Sequence, residues 1–256
     1  ATKLVAGDKT ANVTFYGDNN YNDLNIPNVK FTVSKVIPTL TVTIDDVTYP
    51  NKAIAVINVG NNANGTVEVS VGNMTFNKEV IGGVASVDLE GLSAGSKVAD
   101  VKFTSADAYN LNASGSTKFT VNKANSILVI DVENVYVYND TITIKLTPTG
   151  SDGVLNVTIN GKLYPVNGRQ VVIENITAGE YTIIANLAGN ENYTAATASK
   201  VIKVKQAETS VSIGVESVYK VGDKIEITLT PVNSTDLTVT INGKSYTVDN
   251  NNKITI

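Results

Sequence analysis

The chain of 256 residues has no cysteine, no histidine and no tryptophan, and only 17 % of its residues are charged. Without cysteine no disulfide framework can form. Without a thiol or an imidazole, the usual routes to nucleophilic catalysis, near-neutral proton transfer and zinc binding lack their residues. No catalytic, cofactor-binding or metal-ligating residue is therefore expected, and the chain is not expected to be an enzyme. A net charge of −4, the lack of a basic run and an aromatic content of 6 % count against a nucleic-acid partner. No apolar stretch approaches the roughly 18 residues of a membrane-spanning helix. The first residue is Ala1 and no leader-like segment follows it, so the chain is expected to be a processed or excised piece.

What is present is repetition. Hydrophobic residues make up 42 % of the chain, and Asn, at 31 positions, joins Thr and Ser in supplying an uncharged polar surface. A shift of 88 positions carries Leu4 onto Leu92, Phe15 onto Phe103, Tyr21 onto Tyr109 and Lys30-Phe31-Thr32-Val33 onto Lys118-Phe119-Thr120-Val121. A third copy of this half-unit starts at Ile176. The other half also occurs three times, with Val67 to Val71, Leu155 to Ile159 and Leu237 to Ile241 in matching places. A period of this length is too long for a solenoid and suits a small all-β domain.

Thr41 to Ile44, Val67 to Val71 and Thr141 to Ile144 alternate in polarity and are rich in β-branched residues, as strands with one buried face are. Asn160-Gly161 and Asn242-Gly243 are hairpin turn signals, and Gly72-Asn73 holds the same place in the first full repeat. No segment has a helical period with caps. The expected fold class is all-β, as tandem immunoglobulin-like β-sandwich domains. Tyr181, after Ala178-Gly179-Glu180, sits where a tyrosine corner would, but Lys9 and Lys97 take its place in the other copies.

The repeat phase divides the chain into residues 1–36, the last strands of one repeat; 37–123 and 124–205, two complete domains; and 206–256, the first part of another repeat. The short junctions at Val36-Ile37-Pro38 and Lys123-Ala124-Asn125 leave little linker. Residues 206–256 are in phase with residues 1–36 of a next copy. Three readings follow. The chain is a window on a longer covalent array, or its outer segments are completed head to tail by neighbouring copies through strand complementation, or the two segments meet within one chain.

The unit Leu92-Ser93-Ala94-Gly95, then a strand, then Ala106-Asp107-Ala108-Tyr109-Asn110 and Lys118-Phe119-Thr120-Val121-Asn122-Lys123, resembles the bacterial-type immunoglobulin-like repeats of large adhesin-like cell-surface proteins. It is particularly similar to those of methanogenic archaea. The resemblance covers the whole chain, and it implies a long, exported surface protein with many such domains in a row.

Candidate sites are few. The loop Asp18-Asn19-Asn20-Tyr21-Asn22-Asp23 recurs around Asp107 to Tyr109 and Asn190 to Tyr193. Its acids could bind calcium, but only the tyrosine keeps its place, so a turn packed by a structural tyrosine is expected. Asp45-Asp46 has no persistent second acid in the other copies and is read as a solvated loop. Asn-x-Ser/Thr sequons fall at Asn12, Asn64, Asn73, Asn112, Asn139, Asn156, Asn175, Asn192 and Asn233. In an exported chain these are candidate N-glycosylation sites, Asn64 and Asn192 among those expected in accessible loops. The expected function is a structural or adhesive extracellular array, a stalk or filament at the cell surface. Its expected partners are neighbouring copies of itself and another cell surface. The rival is a carbohydrate- or ligand-binding surface module, which would need an exposed aromatic platform or a deep concave site.

Overall fold

A computed structural model describes residues 3–232 and 237–256. The chain divides into two compact units. The first holds residues 1–127 with the loops 148–154 and 187–196, and the second holds 128–147, 155–186 and 197–256.

The first unit contains ten strands: β1 (Gly7–Phe15), β2 (Leu24–Val33), β3 (Leu40–Ile44), β4 (Val47–Thr48), β5 (Ala53–Val59), β6 (Gly65–Val71), β7 (Met74–Val80), β8 (Val84–Leu89), β9 (Gly95–Ser105) and β10 (Ala113–Asn122). Strands β3-β5-β8 form one sheet and β4-β10-β9-β6-β7 the other. The chain changes sheet between β5 and β6 and again between β8 and β9, which is the Greek-key wiring of an immunoglobulin-like sandwich. Both sheets contribute to one core: Ala53, Ala55, Ile57 and Leu89 come from the first, and Val67, Val69, Val101, Phe103 and Phe119 from the second. Alternate residues point to opposite faces of a strand, so each inward Val or Ile of β6 is followed by a Thr, Glu or Ser facing out. In β5 the outward positions include Ile54 and Val56, both exposed, so there the alternation is of direction and not of polarity.

The second unit continues with β11 (Ile127–Asp131), β12 (Val135–Val137), β13 (Ile142–Thr149), β14 (Leu155–Ile159), β15 (Lys162–Tyr164), β16 (Gln170–Ile173), β17 (Gly179–Leu187) and β18 (Ala196–Lys205). The sheets β11-β13-β16 and β12-β18-β17-β14-β15 repeat the strand order of the first sandwich. Ile142, Ile144, Val157, Ile159, Ile183, Ile202 and Val204 are buried. The fold is thus all-β, with immunoglobulin-like sandwiches in tandem. The turn signals lie where the sequence puts them. Asn160-Gly161 and Asn242-Gly243 both have positive φ at both residues (46° and 82°, 49° and 81°), as a type I′ turn requires. Of the pair Gly72-Asn73 only Gly72 is positive, at 58°, as a type II′ turn requires.

The remaining segments are partial. β1 and β2 form a lone hairpin in which Gly7 faces Val33 and Ala11 faces Val29, with a bulge between Ala11 and Val13. At the other end, β19 (Ser210–Gly214), β20 (Glu226–Val232) and β23 (Lys253–Thr255) form a three-stranded sheet. β21 (Val239–Ile241) and β22 (Lys244–Tyr246) form a hairpin beside it. Ile227, Leu229 and Ile254 are buried there, with Leu237, Val239 and Ile241 packed around them.

Candidate functional site

In each sandwich an early strand lies parallel to the last one. In the first, β4 runs along β10, with Val47 opposite Val121 and Thr48 opposite Asn122. The Tyr49 N–H donates to the Asn122 carbonyl at 2.9 Å. In the second, β12 runs along β18 through Val135, Tyr136 and Val137 opposite Lys203, Val204 and Lys205. The Lys203 N–H donates to Asn134 O at 2.9 Å and the Tyr138 N–H to Lys205 O at 2.8 Å. Side chains brace this short strand at both ends. The Tyr136 hydroxyl oxygen accepts the Glu133 N–H at 3.2 Å, and Asp140 accepts the Val137 N–H at 2.7 Å. The same two bonds recur at Tyr219 with Glu216 and at Asp223 with Lys220. Parallel pairing of an early and a late strand means that tension on the two ends pulls the strands past each other, and every ladder bond is loaded together.

The recurring loop is built differently from the expectation. Its constant feature is one side-chain oxygen that accepts two successive backbone N–H groups. Asp18 takes those of Asn20 and Tyr21, Asp107 those of Tyr109 and Asn110, and Asn190 those of Asn192 and Tyr193. By this alignment the counterpart of Tyr21 and Tyr193 is Asn110, not Tyr109. The parallel bridges agree, since Val36 pairs with Asn110 as Ala124 pairs with Tyr193. The acceptor persists and the tyrosine does not, because closing the loop needs an oxygen at that position and tolerates a variable residue three places on. Asp107 is the most heavily used acceptor. Burial raises its carboxyl, but the Asn64 N–H, the Asn110 amide and the N–H groups of Tyr109 and Asn110 outweigh this and hold it well below the usual carboxylate range. Asn110 is buried, and its Oδ1 has no hydrogen-bond partner among the described residues. Where the second repeat has Tyr193, the ring packs edge-on against Tyr49 at 5.4 Å.

Lysines reinforce these loops. Lys35 Nζ donates to Asp107 O at 2.8 Å and Lys123 Nζ to Asn190 O at 2.6 Å. The tyrosine corner is formed: the Tyr181 hydroxyl donates to Thr177 O at 2.9 Å. In the preceding repeat Lys97 Nζ reaches Ser93 Oγ at 3.1 Å, also four residues back, so an ammonium holds the corner that the phenol holds elsewhere. Asp46 accepts the Thr120 N–H at 2.6 Å and ties the start of β4 to β10. Among the described residues, no cluster of three or more Asp, Glu, His or Cys side chains is placed to hold a metal ion.

The sequons lie in varied settings. Asn73, Asn139 and Asn175 are exposed in turns, Asn156 is exposed within β14, and none of these four side chains is hydrogen-bonded among the described residues. The oxygens of Asn12, Asn64 and Asn112 accept the N–H groups of Asn28, Gly82 and Ser105. Asn192 is half-buried and accepts the Ala94 N–H at 2.9 Å, so it is a brace in a packed loop. Asn233 lies outside the described residues. A cavity of about 660 Å³ in the first unit is lined by Lys3, Asn61, Asn62, Asn64, Asp107 and Tyr109, among others.

No family model matches the chain, and no curated protein matches it either. Among solved structures, it is similar to the fibronectin(III)-like modules of Clostridium thermocellum CbhA, at 14 % identity over 66 % of this chain and 95 % of that one, with a TM-score of 0.29. It is also similar to murine CEACAM1b (14 %, covering 65 % and 100 %, TM-score 0.28) and to the I9–I11 tandem of titin (14 %, covering 85 % and 89 %, TM-score 0.28).

Proposed function

We propose that this chain is a load-bearing segment of an extracellular surface array, a stalk or filament of immunoglobulin-like modules that continues head to tail. The parallel pairing of β4 with β10 and of β12 with β18 carries the reading. It opposes extension with bonds that must fail together, whereas a sheet loaded at one edge opens one bond at a time. The closely bonded loops around Asp107 and Asn190 add stiffness, and the composition offers no catalytic group. Glycans on the exposed turn residues Asn73, Asn139 and Asn175 would suit a surface-exposed chain. Glycopeptide mass spectrometry of native material should find Asn73, Asn139 or Asn175 occupied more fully than the braced Asn192. Full occupancy at Asn192 with bare turns would contradict this order.

Pulling single molecules of residues 1–256 from their two ends tests the load-bearing role. The expected record has two strong unfolding events, from modules 37–123 and 124–205. Each should release about 25–29 nm of chain, given an extended reach of about 3.3–3.6 Å per residue. Smooth extension without discrete events would remove the mechanical role. A ligand-binding module is the second reading, and the cavity beside Asn61, Asn64 and Asp107 favours it. Saturable binding to a glycan array, lost on Tyr109→Ala, would bring that reading forward.

A further inference from the structure

We infer that the β1–β2 hairpin is an assembly element that docks onto the open edge of β21 in a second copy of this chain and completes its sandwich. This rests on the head-to-tail reading above and specifies the surfaces that meet.

The hairpin is a displaced copy of β9–β10. Gly7 faces Val33 and Ala11 faces Val29, just as Gly95 faces Val121 and Ala99 faces Thr117, each 88 positions later. In the complete sandwich the inward side chains of that pair are core: Val101 and Phe103 are 1 % exposed and Phe119 is 3 %. Their counterparts in the lone hairpin are bare, with Val13 at 52 %, Phe15 at 51 % and Phe31 at 42 %. Burying a side chain of this size contributes about 1.5–3 kcal/mol, so three exposed together form an apolar face built for a partner.

The partner's shape is present in the same sequence. In the first sandwich β6 is flanked by β7 on one side and β9 on the other. β21 is its counterpart and pairs with β22 alone among the described residues. Val67, Val69 and Val71 are buried, while Leu237, Val239 and Ile241 are only half-buried. Nearby, Tyr219 and Lys220 keep the two bracing bonds of Tyr136 and Val137. There, however, no strand equivalent to β18 lies alongside among the described residues, and Val218 and Val221 stand exposed. One hairpin would fill both places. The repeat fixes the register: Val69 faces Val101, Val71 faces Ala99 and Val67 faces Phe103. Docking therefore sets Val239 opposite Val13, Ile241 opposite Ala11 and Leu237 opposite Phe15. Val33 takes the place of Val121 and lies parallel to the segment at Tyr219.

The absence of native cysteine makes cross-linking a clean test. Residues 1–256 carrying Val13→Cys and Val239→Cys are oxidised and run under denaturing conditions, with the folded content of the sandwiches followed by circular dichroism. The expected result is a ladder of multiples of 27.0 kDa. The ladder should disappear when Val239→Cys is replaced by Thr240→Cys, on the opposite face. Adding Phe15→Asp should cut the ladder at least about tenfold, since every 1.4 kcal/mol is tenfold in affinity. A cross-linked product confined to 27.0 kDa would overturn the second copy as occupant in favour of closure within one chain. Folded protein with no cross-link would overturn the docking itself. Either failure leaves the pulling experiment on modules 37–123 and 124–205 untouched, so the array reading and the docking site fail separately.

Discussion

At the scale of single residues, this protein spends its polar side chains on its own backbone. Asp107 serves four N–H groups with one carboxylate. Its folded pKa is depressed, so the stability it contributes is present above the ordinary carboxylate value of about 3.9 and is lost as pH falls below that toward the folded value. Denaturant titrations should show a first unit of steady stability from pH 7 to about pH 4 and a decline below. Asp107→Ala should cost about 2 kcal/mol at neutral pH, in the range for hydrogen bonds to a charged acceptor. Asp107→Asn, which imitates Asn190, should cost less and flatten the acid decline. An unchanged acid profile in Asp107→Asn would show that another carboxylate governs it. Tyr181→Phe removes one hydroxyl bond to Thr177 O and should lower the stability of the second sandwich by about 1 kcal/mol, read as a shift in its melting transition. Periodicity placed this corner, but the alignment of Tyr21 with Tyr109 did not survive. Equal spacing over a short loop says nothing about which residue closes it, and the bonds at Asp18, Asp107 and Asn190 do.

At the scale of elements, the short strand β12 has mechanical weight out of proportion to its length. Its bonds to β18 include the Tyr138 N–H donated to Lys205 O. Tyr138→Pro removes that donor at an edge, where proline is tolerated. Force spectroscopy should find the unfolding force of the second sandwich reduced and that of the first unchanged. An equal fall in both, or in neither, would disconnect the parallel strand from mechanical strength. The strands themselves were legible in alternation and β-branching, and the hairpins in Asn-Gly pairs. The parallel pairing was not, because β4 has two residues and β12 three. A segment that short carries no periodic signal and takes its partner from across the sheet.

At the scale of the whole molecule, the design is one module written repeatedly, with incomplete versions flanking two complete ones. The bare hairpin and the half-filled sandwich are the same problem seen from two sides: apolar residues patterned for a core with half of that core elsewhere. Sequence alone determined the all-β class, the repeat length, the strand faces and the shortage of catalytic chemistry. These follow from local alternation, turn residues and composition, none of which needs a distant contact. Only the tertiary structure decided that an early and a late strand of each sandwich lie parallel, that Asn110 stands in a tyrosine's place, that Asn192 is a brace, and that Val13, Phe15 and Phe31 are uncovered. Each of these depends on residues far apart in the chain meeting in space. Burial and hydrogen-bond partnership belong to the meeting and not to either partner's sequence.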